Sequence, residues 1–486
     1  MIQSPLLNPA GSFIHGKWQT DGNKRFEVIN PANGNVLASL PDVGHAGAQL
    51  AAESAAAVMR THPMSMEARR QHLEIITAGL TQEREALAQI ITAEQGKPLE
   101  EARGEVDYAR GFFEYAAAHL DQLAPRIDKK TVRDCHWQVH FRPAGVVALI
   151  TPWNFPLAML AKKLATAIAA GCAVVVKPSS STPLTTIALW NLFIHKTTRP
   201  DFFQLVLGSA SEISRALLEH PEVRVISFTG STAIGKKLIS GSASGVKRLT
   251  LELGGNAPFI VLEDADPDAA VAGLIASKFR CAGQTCVCAN RVFVHEKIAE
   301  TFLKKLELAM ARLRVGPGDE EGVTIGPLIH ADAWNDVHEL VEDAVAKGAE
   351  LRMGAQQQPP THSWGAFYAP TLLSNVSPDA RISQEEIFGP VVAIQTFVNV
   401  SDVITSANDT PYGLAAYIYS QNKPLAEEIA GQLHFGHIAI NSGTGPAPQY
   451  PFGGMKQSGY GREGGKEGLF EFIEIQAVAS AEIAEK

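Results

Sequence analysis

Apolar and polar positions change rhythm twice along the chain. The first part of the chain is helical in pattern: His45 to Met59 is Ala-rich, and from Glu67 to Ile91 the residues Leu73, Ile76, Leu80, Leu87 and Ile90 recur at helical spacing. Gly96-Lys97-Pro98 punctuates the end of that helical stretch. Lys129 to Arg142 then sets Val132, Trp137, Val139 and Phe141 among polar residues, a pattern of exposed strands and of a hairpin leaving the main body. From Gly145 the rhythm becomes strand then helix. Val146–Ile150, Ala173–Val176, Phe203–Leu207 and Val223–Phe228 are buried-strand runs, with helices expected over Leu157–Ala170 and Pro183–His195. Such alternation with short links predicts a doubly wound parallel sheet. A second alternating unit starts near Leu253-Gly254-Gly255. It holds Phe259–Leu262, a helix over Pro267–Phe279, Arg291–Val294, Val391–Phe397 and Ala415–Tyr419. The tail, Ile473 to Ile483, is strand-like and is expected to pair with the Lys129–Arg142 hairpin of another subunit.

Length and composition narrow the class. A chain of 486 residues with 45% hydrophobic and 19% charged residues has room for two or three globular cores. A net charge of −9 argues against nucleic acid and gives no support for an anionic membrane surface. No secretory pattern opens the chain, and the apolar runs are too short to span a bilayer, so a cytoplasmic protein without membrane contact is expected. Five cysteines, three of them at Cys281, Cys286 and Cys288, do not resemble a spread disulfide framework. There is no CxxC pair, and His295 is not at a familiar zinc spacing, so no metal site is expected.

Three segments carry candidate chemistry. Gly283-Gln284-Thr285-Cys286 lies between a predicted helix and a strand, where small residues let a substrate approach one sulfur. An isolated cysteine is more often an inert packing residue. Glu252, in Leu251-Glu252-Leu253-Gly254-Gly255-Asn256, sits at a strand exit with little expected side-chain cover, and could serve as a general base for the thiol or for a water. Asn154, in Thr151-Pro152-Trp153-Asn154-Phe155-Pro156, could offer its amide to a developing oxyanion, though an Asn between two prolines is also an ordinary turn residue.

Taken together in this order, these segments resemble the aldehyde dehydrogenase superfamily, from Asn30-Pro31-Ala32 to Gly461-Arg462-Glu463. Val176-Lys177-Pro178-Ser179, Phe228-Thr229-Gly230-Ser231, Glu386-Ile387-Phe388-Gly389-Pro390 and Pro451-Phe452-Gly453-Gly454 extend the resemblance. It implies an α/β fold with a Rossmann-type cofactor domain (1–127 and 143–251), an α/β catalytic domain (252–450), oligomerisation strands (128–142 and 471–486) and a return segment (451–470). It implies a homodimer or homotetramer. Cys286 would attack the aldehyde, Asn154 and the Cys286 N–H would hold the oxyanion, and Glu252 would activate the water that releases the acid. Where the family commonly has Asn, this chain has Cys281, which is read as a small packing residue.

The resemblance also distributes the cofactor, NAD or NADP. Lys177 would meet the adenosine ribose, Gly230 and Ser231 the pyrophosphate at a helix N-terminus, Glu386 and Phe388 the nicotinamide riboside, and Trp153 the groove wall. Ser180 stands where a Glu usually marks NAD preference, which tilts the choice towards NADP with dual use open. Phe279-Arg280 before the Cys286 loop, and Lys456 to Gly464, resemble the succinate-semialdehyde dehydrogenase branch. There Arg280 would clamp the substrate's far carboxylate or a sulfonate. The branch's second clamping Arg falls at Lys162 and its Ser at Pro446, so two of three clamp positions differ. Succinate semialdehyde, glutarate semialdehyde and sulfonated aldehydes all remain open. In some members a thiol placed like Cys288 forms a reversible disulfide with the nucleophile. Competing expectations are an acylating enzyme that uses coenzyme A, which the presence of Glu252 opposes, and a silent binding protein of the same fold.

Overall fold

The computed structural model describes residues 4–127, 131–354 and 360–481. Two large sheets organise it. The first has eight strands in the order Gly459–Tyr460, Arg248–Glu252, Val223–Thr229, Val146–Ile150, Ala173–Lys177, Phe203–Leu205, Ser12–Ile14 and Lys17–Gln19. Its five central strands run parallel, and the outer ones are antiparallel. The second has seven: Glu350–Met353, Thr371–Ser374, Val391–Phe397, Ala289–His295, Ala257–Val261, Ala415–Tyr419 and His437–Ile440, parallel except at the first pair. The parallel strands are buried on both faces, which is why Val146–Ile150 and Ala173–Lys177 read as unbroken apolar runs.

The expected helices are present with slightly different ends, Ala158–Ala170, Leu184–Phe193 and Pro267–Lys278. Three expectations need correction. The stretch Glu67–Ile91 is two helices, Met66–Gln82 and Arg84–Gln95, broken at Glu83, whose ψ of 21° leaves the helical range. The N-terminal part is not all helical. Ser12–Gln19 forms edge strands of the first sheet, and Arg25–Ile29 pairs with Val36–Pro41. Finally, the tail does not reach for another subunit's hairpin strand. Ile473–Ala481 pairs antiparallel with Cys135–Pro143 of its own chain, with Arg126–Ile127 on the far side. Residues 128–130 and 482–486 of that extension lie outside the described residues. No helix among the described residues is long and apolar enough to cross a membrane.

Candidate active site

The site lies where the two sheets face each other. The carboxyl ends of the first sheet's parallel strands carry Thr151–Asn154, Lys177–Ser180, Gly230–Ser231 and Glu252, the region where open α/β sheets hold ligands. The amino ends of the second sheet's strands carry Cys286 and Glu386–Phe388. Four residues, Leu253–Asn256, link the last position of one sheet, Glu252, to the first strand of the other. A Cβ at Gly255 would lie 2.4 Å from the Cys286 carbonyl oxygen, so only glycine lets these two segments touch.

That approach brings the chemistry together. The Cys286 thiol donates to Glu252 Oε1 at 2.8 Å, and Thr229 Oγ1 donates to Glu252 Oε2 at 3.2 Å. Glu252 is 3% exposed, so the sparse cover expected beside a Gly pair is not observed; Thr229 and the strand at Gly459 close over it. Burial, and then the Glu252 charge, push the Cys286 thiol well above its ordinary range, while Lys162 pulls it back. The resting thiol therefore carries its proton at neutral pH and hands it towards a carboxylate.

Asn154 Nδ2 donates one hydrogen to Gln284 O at 2.9 Å, and its Oδ1 accepts the Phe155 N–H at 3.1 Å. A primary amide has two N–H donors, so one is left for a ligand. Among the described residues the Cys286 backbone N–H has no acceptor either. The Asn154 loop is fixed from below by a buried ion pair. Lys97 Nζ donates to Asn154 O at 2.8 Å and to Glu105 Oε2 at 2.5 Å. Glu105 Oε1 accepts the Leu157 and Ala158 N–H groups at 2.9 and 3.1 Å, capping the helix that follows. Gly96, at φ +96°, ends the helix before Lys97 and aims it inward.

The thiol loop is strained. Cys281 and Ala282 have φ of 53° and 54°, and Gly283 has φ 76°. A Cβ at Gly283 would lie 2.2 Å from Gly389 O, so this loop is seated on the segment that carries Phe388. Cys281 is a buried packing residue, its sulfur accepting from Gln95 Nε2 at 3.2 Å and its N–H donating to Glu101 at 2.8 Å. Burial pushes its thiol up to about 12. Cys288 is buried, its sulfur 3.6 Å from Lys278 O, and all five cysteines are free thiols.

A cavity of about 660 Å³ opens on Cys286 and has two sides. On one are Trp153, Gly230, Ser231, Glu386 and Phe388. Trp153 meets Phe388 edge-on at 5.7 Å. Ser231 caps the helix Thr232–Ser242 by accepting the Ile234 N–H. Glu386 Oε1 accepts the Gly255 N–H at 3.1 Å, and burial raises its carboxyl to about 8. A Cβ at Gly254 would come within 2.8 Å of Glu386 and 3.4 Å of Thr232 Oγ1, so the glycine lets the backbone lie close to the Glu386 carboxylate. Lys177 and Ser180 lie outside the cavity lining. Lys177 Nζ donates to Pro178 O at 2.8 Å, and burial lowers its pKa to about 8. Ser180 Oγ donates to Gly208 O at 3.0 Å. These side chains suit a nicotinamide dinucleotide.

On the other side are Tyr108, Phe155, Lys162, Arg280, Phe452 and the loop Thr444–Pro446. The Arg280 guanidinium stands 5.3 Å over the Phe155 ring and has no ion pair among the described residues, and its Nε is buried without a partner. Lys162 Nζ stands 4.4 Å over Phe452 and 3.7 Å from Glu463 Oε2, while Lys163 binds the other oxygen of Glu463 more closely. Two lysines thus share one carboxylate. Burial opposes the Lys162 charge, yet Tyr108, Glu252, Glu463 and Cys286 around it hold its pKa above the usual lysine range. The sequence reading missed Tyr108, Thr444, Glu463 and the Lys97–Glu105 pair. One signal was available: Lys162-Lys163 interrupts an otherwise apolar, fully buried helix, which requires buried counter-charges.

Comparison with known proteins agrees with this geometry. The profile described as the aldehyde dehydrogenase family matches residues 18–478. A 3-sulfolactaldehyde dehydrogenase of Pseudomonas putida is 41% identical, covering 98% of each chain. A mitochondrial succinate-semialdehyde dehydrogenase of Arabidopsis thaliana is 44% identical, covering 98% of this chain and 90% of its own length. Among solved structures, an oxidoreductase from Marinobacter aquaeolei superposes with a TM-score of 0.94 at 47% identity, over 99% of this chain and all of that one.

Proposed function

The chain belongs to the aldehyde dehydrogenase family, as an NAD(P)-dependent enzyme of its semialdehyde dehydrogenase branch, and from that premise we propose that its substrate is a short aldehyde with an acidic group at the far end. The observation that carries this is Arg280: a guanidinium lining the cavity on Cys286, with a buried unpartnered Nε and no carboxylate bound to it. Arg280 is half-buried with its Nε left without an acceptor, and an anionic ligand would supply one. Lys162, sharing Glu463 with Lys163, adds positive charge on the same wall. Two of the relatives that match over nearly the whole chain are named for acid-tailed aldehydes, one a carboxylate and one a sulfonate.

In this reading Cys286 Sγ attacks the aldehyde carbon as its proton passes to Glu252, 2.8 Å away. The oxyanion of the thiohemiacetal takes the free amide hydrogen of Asn154 and the Cys286 N–H. The bound nicotinamide supplies the hydride acceptor. Trp153, Phe388 and Glu386, which line the cavity's other side, would hold it. Glu252 then gives up the thiol's proton to solvent and, as a carboxylate again, deprotonates the water that hydrolyses the thioester left on Cys286. Lys177 and Ser180, with no carboxylate at 180, support NADP as the preferred cofactor. The nine-residue strand Ile473–Ala481, with one edge unpaired among the described residues, supports a homo-oligomer joined there.

The test compares succinate semialdehyde, a sulfonated aldehyde and an uncharged aldehyde of similar length, each with NAD and NADP. The anionic aldehydes should give the higher kcat/KM. A higher value for the uncharged one refutes the substrate class, and a requirement for coenzyme A refutes hydrolysis by Glu252.

A further inference from the structure

Tyr108 is placed where packing alone does not explain its chemistry. It lies on the helix Leu99–Ala118, three residues after Glu105, and lines the same cavity as Arg280 and Lys162. Its ring packs edge-on against Phe112 at 5.0 Å, a contact that phenylalanine would make equally well. Its hydroxyl makes no hydrogen bond to a described residue. The side chain is half-buried and lines the cavity, and Lys162 and Arg280 are the cations whose charge reaches it most strongly. A hydroxyl on the cavity wall needs something to accept its hydrogen bond once a ligand displaces water from it. Neither neighbour can: lysine and arginine side chains are donors only. With a ligand bound, the acceptor comes from the ligand, and the two cations that line the same cavity favour a negative one.

We propose that the Tyr108 hydroxyl is a third anchor for the substrate's distal anion, donating its hydrogen to the carboxylate or sulfonate that Arg280 and Lys162 hold by charge. This rests on the anionic-substrate reading above and adds a residue to it. The role has a physical motive in this chain. Lys162 is a point charge partly engaged by Glu463, so it lacks the rigid two-pronged geometry of a guanidinium. A tyrosine hydroxyl on a packed ring supplies direction that the lysine does not.

The experiment compares wild type and Tyr108→Phe with succinate semialdehyde and with pentanal at saturating NADP. Loss of a hydrogen bond to a charged group corresponds to about a 10- to 100-fold change. KM for succinate semialdehyde should rise in that range with kcat nearly unchanged, and kcat/KM for pentanal should stay the same. Equal losses on both aldehydes would show a packing role and overturn the proposal, as would no change on either. Arg280→Leu separates this failure from that of the parent reading. If Arg280→Leu abolishes the preference for succinate semialdehyde while Tyr108→Phe leaves it intact, only the Tyr108 assignment falls. If wild type itself prefers pentanal, the anionic reading falls and the assignment with it.

Discussion

Replacing Glu252 by glutamine isolates what one carboxylate does to the neighbouring thiol. The substitution keeps size and hydrogen bonding but removes a charge 2.8 Å from Cys286 Sγ. A thiolate and a carboxylate at that distance repel by about 6 kcal/mol at an effective dielectric near 20. The Lys162 cation, acting on both, offsets part of this. If only about 1.4 kcal/mol of the repulsion survives, the thiolate population changes about tenfold. Two opposite outcomes should follow from one variant. Alkylation of the free enzyme by iodoacetamide, followed from pH 6 to 10, should shift to lower pH and run at least about tenfold faster near pH 8. Turnover should collapse by about 10²- to 10⁴-fold, because no base remains for the thioester's water. Rapid mixing should then show a burst of reduced cofactor before the slow phase. Slower alkylation of Glu252→Gln at every pH would refute the reasoning, since the carboxylate would then be activating the resting thiol rather than suppressing its ionisation.

Three further outcomes are expected. Lys97→Met strands Glu105 as a buried unpaired charge and should destabilise the protein by about 3–5 kcal/mol in denaturant unfolding. It should also lower kcat by loosening the Asn154 loop, and the double variant Lys97→Met/Glu105→Gln, which removes the stranded charge but keeps an acceptor for the Leu157 and Ala158 N–H groups, should recover part of the stability but not kcat; no recovery counts against the ion-pair account. Cys281→Asn puts a residue that tolerates left-handed backbone at φ 53°, and should stabilise by about 0.5–1 kcal/mol, seen as a raised thermal midpoint; a lowered midpoint means the sulfur's packing against Gln95 outweighs the strain. Lys177 has a folded pKa depressed to about 8, so the free enzyme holds that charge below pH 8 and loses it above. The ratio of kcat/KM for NADP to that for NAD should therefore fall as pH rises through 8, and a flat ratio in wild type, or the same fall in Lys177→Met, removes Lys177 from 2′-phosphate recognition.

What could be read from the sequence followed from burial. Val146–Ile150 and Ala173–Lys177 are apolar on both faces, so their runs are unmistakable, and the turns that follow them hold the loops of Asn154 and Ser180. Ser12–Gln19 and Arg25–Pro41 were missed because short edge strands mix polar and apolar residues without a run. The break at Glu83 was invisible because Leu80 and Leu87 stay in helical phase while the axis turns between them. Pairing of the tail within the chain or across subunits leaves the same alternating pattern in both cases. Tyr108 was hidden for a related reason: an aromatic on the inner face of an amphipathic helix reads as packing, and only the cavity reveals where its hydroxyl ends.

The backbone contacts Gly255 to Cys286 and Gly283 to Gly389 have a consequence for how such an enzyme can diversify. They fasten the sulfur, the carboxylate and the segment beside Phe388 to one another through main chain, with no side chain in between to be mutated. The groups that face the far end of the substrate hang from other parts of the fold: Tyr108 and Lys162 on two helices, Arg280 at a helix end, Thr444 to Pro446 on a loop. Reactivity and selectivity are thus inherited through separate mutational channels. A lineage can exchange one acid-tailed aldehyde for another by single substitutions at the periphery, each tried without displacing the reacting atoms.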